Sequence, residues 1–261
     1  NDDKAGKNVE CPKAKDIFNP TDDEQGEICF RGRHIMTGYM ANPDLGADHL
    51  KTIQGKLDSA IDSDGWLHSG DKGCMGVNGM VKITGRYKHL LIGAGGENVA
   101  PIPIENEVKK QCPAISNCMM IGDKKPFMAA FVTLKAKGAT GNEPGGDDLD
   151  EEALAVDSSV TKISEACQSD KYKKYIVDCI IKANKEAAPN NASTIKKICI
   201  LPRDFSVATN ELTPTLKLKR GVVVKMNQAA VDAIYNAPKN MTVVPYPITL
   251  SEKNSEPSKE E

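Results

Sequence analysis

No apolar run among the 261 residues approaches the ~20 needed to cross a bilayer, so a transmembrane segment is not expected. The opening Asn1-Asp-Asp-Lys4 lacks the apolar core of a secretory signal. Charge of one sign is not in excess either: 34 Lys and Arg against 36 Asp and Glu leave a formal net charge of -2. A chain without a strongly basic field cannot replace the counterions of a phosphate backbone, which argues against nucleic acid as its main partner. Eight cysteines, at 11, 29, 74, 112, 118, 167, 179 and 199, include no Cys-x-x-Cys pair and no adjacent histidine ligands. That spacing indicates neither a zinc site nor a disulfide framework, and reduced, mostly buried thiols are the expectation. Sequons at Asn191-Ala-Ser193 and Asn240-Met-Thr242 would stay unused on a cytosolic face. There is no internal repeat.

What is present is a soluble, mixed composition long enough for one large or two modest domains, at the usual ~100 to 200 residues each. Residues 1–25 are polar and rich in Lys and Asp. Residues 27–31 and 80–84 read as short strands, separated by turn-rich sequence at Asn42-Pro43, Asp64-Gly65 and Asn78-Gly79. After Arg86 the pattern changes. Residues 103–112 read as a helix opened by proline in its first turn, and 118–121 and 129–134 read as strands. Residues 137–148 are Gly- and Asp-rich and predict a flexible exposed loop rather than a phosphate cradle. Helical periodicity returns over 151–167 and 171–185, where Tyr172, Ile176, Cys179, Ile180 and Ala183 make one apolar stripe facing a core. A strand over 195–201, a helix over 222–235 and a disordered tail over 251–261 complete the reading.

Chemistry concentrates in a few segments. Asp71, read as sitting in a turn between Ser69-Gly70 and Gly73, is a carboxylate that can accept both hydroxyl protons of a ribose diol. Arg86 closes a Val81-Lys-Ile-Thr-Gly85 strand, which holds a planar five-donor fork at a strand end, suited to ribose or phosphate. Gly93, Gly95 and Gly96 allow close backbone approach to a ligand, or simply a tight turn before Pro101. Trp66 and His68 read as packing and structural residues rather than a stacking platform or a proton carrier. Lys217-Leu-Lys-Arg220, taken alone, reads as a solvated helix start.

In order along the chain, Gly26-Glu-Ile-Cys-Phe-Arg-Gly32 with Thr37-Gly-Tyr39, Asp64-Gly-Trp-Leu-His-Ser-Gly-Asp71, Gly85-Arg86 and Ala94-Gly-Gly-Glu-Asn-Val-Ala-Pro-Ile-Pro-Ile-Glu105 resemble the rear part of the adenylate-forming, AMP-binding acyl-CoA synthetases. The stretch ending at Asp71 resembles the fatty acyl signature, and the Ala94 stretch resembles the bubblegum-type long-chain ligases. Four ordered motifs are far more specific than a lone glycine-rich loop.

The resemblance implies an α+β fold: the β-rich end of a large AMP-binding domain over 1–86, then a small mobile α+β domain over 87–250. It implies a two-step reaction in which a fatty carboxylate and ATP form acyl-AMP and pyrophosphate, after which the thiol of CoA displaces AMP. Lys217 would be the catalytic lysine of a mobile loop, with Lys219 as its rival. Asp71 and Arg86 would hold ribose, Ile83 would pack on the adenylate, and Lys88 would be the hinge between two domain arrangements. Gly95, Gly96, Glu97 and Asn98 would line the path of CoA. His89 and Ile92 depart from the usual pattern, standing where many relatives carry an acid and a lysine.

The family's phosphate loop and its segment near adenine and magnesium do not occur in this sequence. The chain is therefore expected to be inactive alone, a fragment whose missing N-terminal portion supplies magnesium, the triphosphate grip and the acyl pocket. Fatty acid, ATP or AMP, and CoA are the implied ligands, on the cytoplasmic side with peripheral attachment to the endoplasmic reticulum as the membrane option. The alternatives are a non-catalytic CoA- or AMP-binding module, an unstable truncation product, and a ligase for another carboxylic acid.

Overall fold

Gly26-Glu-Ile-Cys-Phe30 forms strand β1, the edge of an antiparallel three-stranded sheet in the computed structural model, which describes residues 9–21 and 23–247. Two compact units divide the chain, one ending at Leu90 and the other starting at Leu91. The expected tail over 251–261 lies outside the described residues.

In the first unit, β1 is followed by helix α1 (Ala47–Ala60), strand β2 (Leu67–Met75) and strand β3 (Val81–Arg86), with sheet order β1-β2-β3. The Asn78-Gly79 signal makes the β2–β3 turn: Gly79 has φ 79°, and the Gly76 N–H donates to the Met80 carbonyl at 2.8 Å. Helix α1 follows a 3-10 turn, Pro43–Leu45, in which the Asn42 side chain accepts the Asp44 N–H. Ala60 is the one buried residue of α1, so no apolar stripe announced it in the sequence. β2 also replaces the turn expected around Asp71. Its glycines and polar side chains have low intrinsic strand preference, and the ladder to β1 shifts register between Glu27 and Cys29, so residues 69–71 form a bulge in which Gly70 takes φ 73°. Among the described residues, the buried apolar side chains of this unit are only Ala14, Ala60 and Cys74.

The second unit begins with a short hairpin, β4 (Leu91–Ile92) and β5 (Asn98–Val99), and continues into helix α2 (Pro101–Gln111). Pro101 and Pro103 both fall in the first turn of α2, where N–H groups have no intrahelical acceptor. Strands β6 (Ile115–Ile121) and β7 (Met128–Leu134) pair antiparallel. The chain then passes through the short helices α3 (Glu151–Leu154) and α4 (Ile163–Ala166) and the long helix α5 (Asp170–Ala187) to β8 (Ile195–Ile200), parallel to β7. Helices α6 (Arg220–Met226) and α7 (Gln228–Asn236) follow.

Every residue of the central β7 is buried, because helices cover both faces of its sheet. On one face Met120, Ala130 and Val132 join Ile104 and Val108 of α2 and the whole predicted α5 stripe. On the other, Met119, Phe131 and Cys199 pack with Val223, Val231 and Ile234 of α6 and α7. The assignment to the two faces follows the period of 2 along β6 and β7. Each of the larger side chains so buried contributes roughly 1.5–3 kcal/mol by transfer from water.

Two expected helices are each broken. Residues 151–167 split into α3 and α4 because Asp157 Oδ1 accepts both the N–H and the hydroxyl of Ser159, at 3.1 and 2.7 Å, offering the backbone a local turn. Residues 222–235 split at buried Asn227, whose φ of -109° and ψ of 30° leave the helical region and whose amide donates to the Val223 carbonyl at 2.9 Å. The eight cysteines are all free thiols: Cys74, Cys112, Cys118, Cys179 and Cys199 are buried, the others half-buried. No helix among the described residues is long and apolar enough to cross a membrane.

Candidate functional site

Asp71 and Arg86 face one another as register partners on β2 and β3, and Arg86 Nε donates to Asp71 Oδ1 at 2.6 Å. The ladder thus brings together two of the residues expected at a ribose, with the guanidinium half exposed and the carboxylate 22% exposed. The contact runs through Nε. A carboxylate has further lone pairs, so Asp71 keeps acceptor capacity beside a fixed cation. Ile83 sits on β3 opposite Gly73 and is 63% exposed. Lys88 lies in the 3-10 turn Tyr87–His89, directly before the division between the units.

His68, expected to be merely structural, is held by two carboxylates. Its Nδ1 is 2.7 Å from Glu27 Oε2 and its Nε2 is 3.1 Å from Asp62 Oδ2. The hydrogen bond to Glu27, aided by Asp62, raises the imidazole pKa above the ordinary histidine value against the opposing effect of burial. Glu27 Oε1 accepts the Gly70 N–H at 2.8 Å, so the same carboxylate fixes the strand just ahead of Asp71. Nothing local marks this pairing, since Glu27 and His68 are 41 residues apart.

Gly95, Gly96, Glu97 and Asn98 come together in the β4–β5 hairpin. The Gly96 N–H donates to the Gly93 carbonyl at 2.9 Å and the Gly93 N–H to the Glu97 carbonyl at 3.0 Å. Gly96 has φ 87°, a conformation that a Cβ resists. At Gly95 an added Cβ would lie 2.6 Å from the Glu97 carboxylate, which folds over the loop. Asn98 pairs with Ile92 in the ladder. The Ala94 N–H donates to the Lys125 carbonyl and the Lys124 N–H to the Ile92 carbonyl, tying the hairpin to the turn between β6 and β7.

Lys217 stands on an exposed loop closed at its base by the Leu212–Leu218 bridge. The Thr213 N–H donates to the Lys217 carbonyl at 2.8 Å, Thr213 Oγ1 accepts the Lys217 N–H at 3.0 Å, and Leu216 takes φ 58°. These bonds shape the backbone and leave the ammonium without a partner among the described residues. Lys219 differs, because its Nζ donates to Asn210 Oδ1 at 2.5 Å. Arg220 anchors the end of the loop: it engages Glu105 of α2 with both terminal nitrogens, and Glu105 Oε1 also accepts the Met120 N–H at 2.6 Å. Glu105 belonged to the Ala94 motif, but its partner 115 residues away was not readable from that motif.

A second buried carboxylate also escaped the sequence reading. Asp204 accepts from Ser116 Oγ at 2.6 Å, Asn117 Nδ2 at 2.8 Å, Thr133 Oγ1 at 2.6 Å and the Phe205 N–H at 2.8 Å. It pins the chain after β8 to β6 and β7, upstream of the Lys217 loop.

Residues 88–170 match the family described as AMP-binding enzyme C-terminal domain. The chain is 44% identical over 224 residues to the long-chain-fatty-acid CoA ligase ACSBG2 of Gallus gallus, covering 84% of this chain and 28% of that protein. It is 40% identical over 220 residues to ACSBG1 of Homo sapiens, covering 82% of this chain and 29% of that protein. The chain thus spans less than a third of the length of these relatives. Among solved structures, the adenylation domain of a carboxylate reductase from Mycobacterium chelonae superposes with a TM-score of 0.60 at 20% identity, covering 82% of this chain and 28% of that one. The corresponding domain from Segniliparus rugosus, solved with AMP and a co-purified carboxylic acid, gives 0.59 at 18% identity, covering 80% and 28%. The fold is that of adenylation domains, residues 88–170 belong to the family of AMP-binding enzyme C-terminal domains, and over more than four fifths of its length the chain is similar to bubblegum-type long-chain fatty acid CoA ligases.

Proposed function

We propose that this chain is the part of a long-chain fatty acid CoA ligase that positions the ribose of the adenylate and supplies the catalytic lysine. The observation that carries the reading is the contrast at the Lys217 loop: Lys217 is exposed and its ammonium has no partner among the described residues, while its neighbour Lys219 is held by Asn210 and the next residue is anchored on Glu105. In the first half-reaction a carboxylate oxygen of the fatty acid attacks the α-phosphorus of ATP and pyrophosphate leaves. Negative charge gathers on the attacked phosphate, where a positioned cation lowers the barrier. In the second, the CoA sulfur attacks the acyl carbon and AMP leaves. Asp71 would accept from the ribose hydroxyls beside Arg86, Ile83 would offer an apolar surface to the adenylate, and residues 95–98 would serve the CoA step. Lys88 would be the residue whose backbone changes between the two steps.

We assign the triphosphate grip, magnesium and the acyl pocket to sequence outside this chain. Support comes from the first unit, which exposes Phe18, Met40, Met80 and Ile83 while burying few apolar side chains among the described residues. A three-stranded sheet with so little core resembles part of a larger layer.

The test uses the chain alone and the chain joined to the preceding part of its own transcript. Alone, it should not catalyse fatty-acid-dependent exchange of pyrophosphate into ATP; such exchange would refute the assignment. In the joined protein, Lys217→Ala should abolish acyl-AMP formation and largely spare thioester formation from supplied acyl-AMP. Equal loss of both halves would remove Lys217 from the proposed role.

A further inference from the structure

The side chains around His68 include one more donor that the nucleotide reading does not use. Cys29 on β1 is the register partner of His68 on β2, and its Sγ lies 3.6 Å from His68 Nδ1. Glu27 Oε2 lies 2.7 Å from the same nitrogen, and the sulfur, nitrogen and carboxylate oxygen are all within 4.8 Å of one another. All three residues are half-buried. Asp62 stands behind the ring on Nε2, and the Gly70 N–H holds the second oxygen of Glu27.

We propose that Glu27, Cys29 and His68 form a divalent cation site of the zinc class, with Asp62 as a positioning residue. A thiolate, an imidazole and a carboxylate are the mixed, borderline donor set that zinc accepts. With zinc bond lengths of about 2.3 Å to sulfur and 2.0–2.1 Å to nitrogen, tetrahedral geometry separates the two ligand atoms by about 3.6 Å. That is the distance between Cys29 Sγ and His68 Nδ1. A carboxylate on the far ring nitrogen is the usual outer partner of a metal-bound histidine, because it fixes the ring and raises its basicity. Loading displaces two protons to solvent, one from the Cys29 thiol and one from His68 Nδ1, and requires Glu27 to retreat by about 0.6 Å from the nitrogen it now contacts, given the same bond lengths. A cavity of about 580 Å³, lined also by Cys11 and Trp66, gives access to a fourth coordination position. Occupancy would clamp β1 to β2 in a unit that has few buried apolar side chains among the described residues, so the cation would stabilise the sheet.

The purified full chain, stripped with chelator, is titrated with Co(II) as the probe and back-titrated with Zn(II). One equivalent of Co(II) should produce a thiolate-to-cobalt charge-transfer band that one equivalent of Zn(II) removes. Cys29→Ser should abolish the band, Cys11→Ser should keep it, and Asp62→Asn should keep it while weakening affinity roughly 10–100-fold. X-ray absorption of the zinc-loaded native chain should give one sulfur at about 2.3 Å and nitrogen or oxygen neighbours at about 2.0–2.2 Å. The proposal is overturned by absence of the band, by its persistence in Cys29→Ser, or by a zinc shell with no sulfur or several. Because the absorption measurement uses the unmutated protein, it decides the matter even if a variant fails to fold.

Discussion

Arg220 grips the buried carboxylate of Glu105 with both terminal guanidinium nitrogens, and the same carboxylate accepts the Met120 N–H at 2.6 Å. One side chain of α2 therefore ties an edge residue of β6 to the residue that ends the Lys217 loop. The fork geometry makes the tie directional, which a lysine at 220 could not reproduce.

Removing one partner leaves an uncompensated charge in a buried setting. Glu105→Ala is expected to destabilise the second unit by about 3–5 kcal/mol, read from the shift of the urea midpoint. Arg220→Lys should cost less than Glu105→Ala, because it keeps the charge and loses the second bond. A Glu105→Ala midpoint equal to wild type would show the pair to be energetically idle.

Asp204 satisfies two hydroxyls, an amide and a backbone N–H at once. Asp204→Ala strands those donors inside the protein, and a loss above ~3 kcal/mol is expected at about 1–3 kcal/mol per unsatisfied group. Equilibrium denaturation measures it; a loss below 1 kcal/mol would mean that the site relaxes or hydrates freely.

Under the proposed function, in a longer protein that also carries the triphosphate grip, Lys217→Ala and Lys219→Ala should separate cleanly. The first is expected to slow acyl-AMP formation by about 10²–10³-fold or more, as loss of a preorganised charge-stabilising group does. Lys219 is bonded to Asn210, and its loss should fall within about tenfold. Single-turnover adenylation is the measurement, and a reversed order would give the catalytic role to Lys219.

Burial pushes the Cys199 thiol up to about 12 and the Cys167 thiol up to about 11. In the unfolded chain both ionise near 8.5. The unfolded state therefore releases protons first as pH rises, and stability present below about pH 8.5 should fall progressively up to about pH 11–12. Urea midpoints between pH 7 and pH 11 test this. Cys199→Ala should flatten the alkaline decline, and an unchanged slope would exclude that thiol as a cause.

The α5 stripe was legible because Tyr172, Ile176, Cys179, Ile180 and Ala183 repeat with the helical period, and all are buried where that period predicts. Residues 118–121 of β6 and 129–134 of β7 were legible as short, largely apolar runs of strand length, which suit strands covered on both faces. α1 was not, since its exposed surface carries no stripe, and β2 was not, since Ser69, Gly70, Asp71 and Gly73 have the composition of a turn and the strand carries them through a bulge at Gly70, paired on either side by its neighbours. The breaks at Asp157 and Asn227 turn on single side-chain hydrogen bonds that leave hydrophobic periodicity almost unchanged.

Ordered local motifs were enough to place this chain in its family and to nominate Asp71, Arg86 and Lys217, because such segments carry their chemistry in contiguous residues. Which groups meet was settled by folding. Glu27 meets His68 across 41 residues, Asp204 meets Ser116 across 88, and Arg220 meets Glu105 across 115. A polar pair at such separation has no periodic signature, since a side chain that leaves water takes whichever partner the sheet register and helix packing bring within about 3 Å.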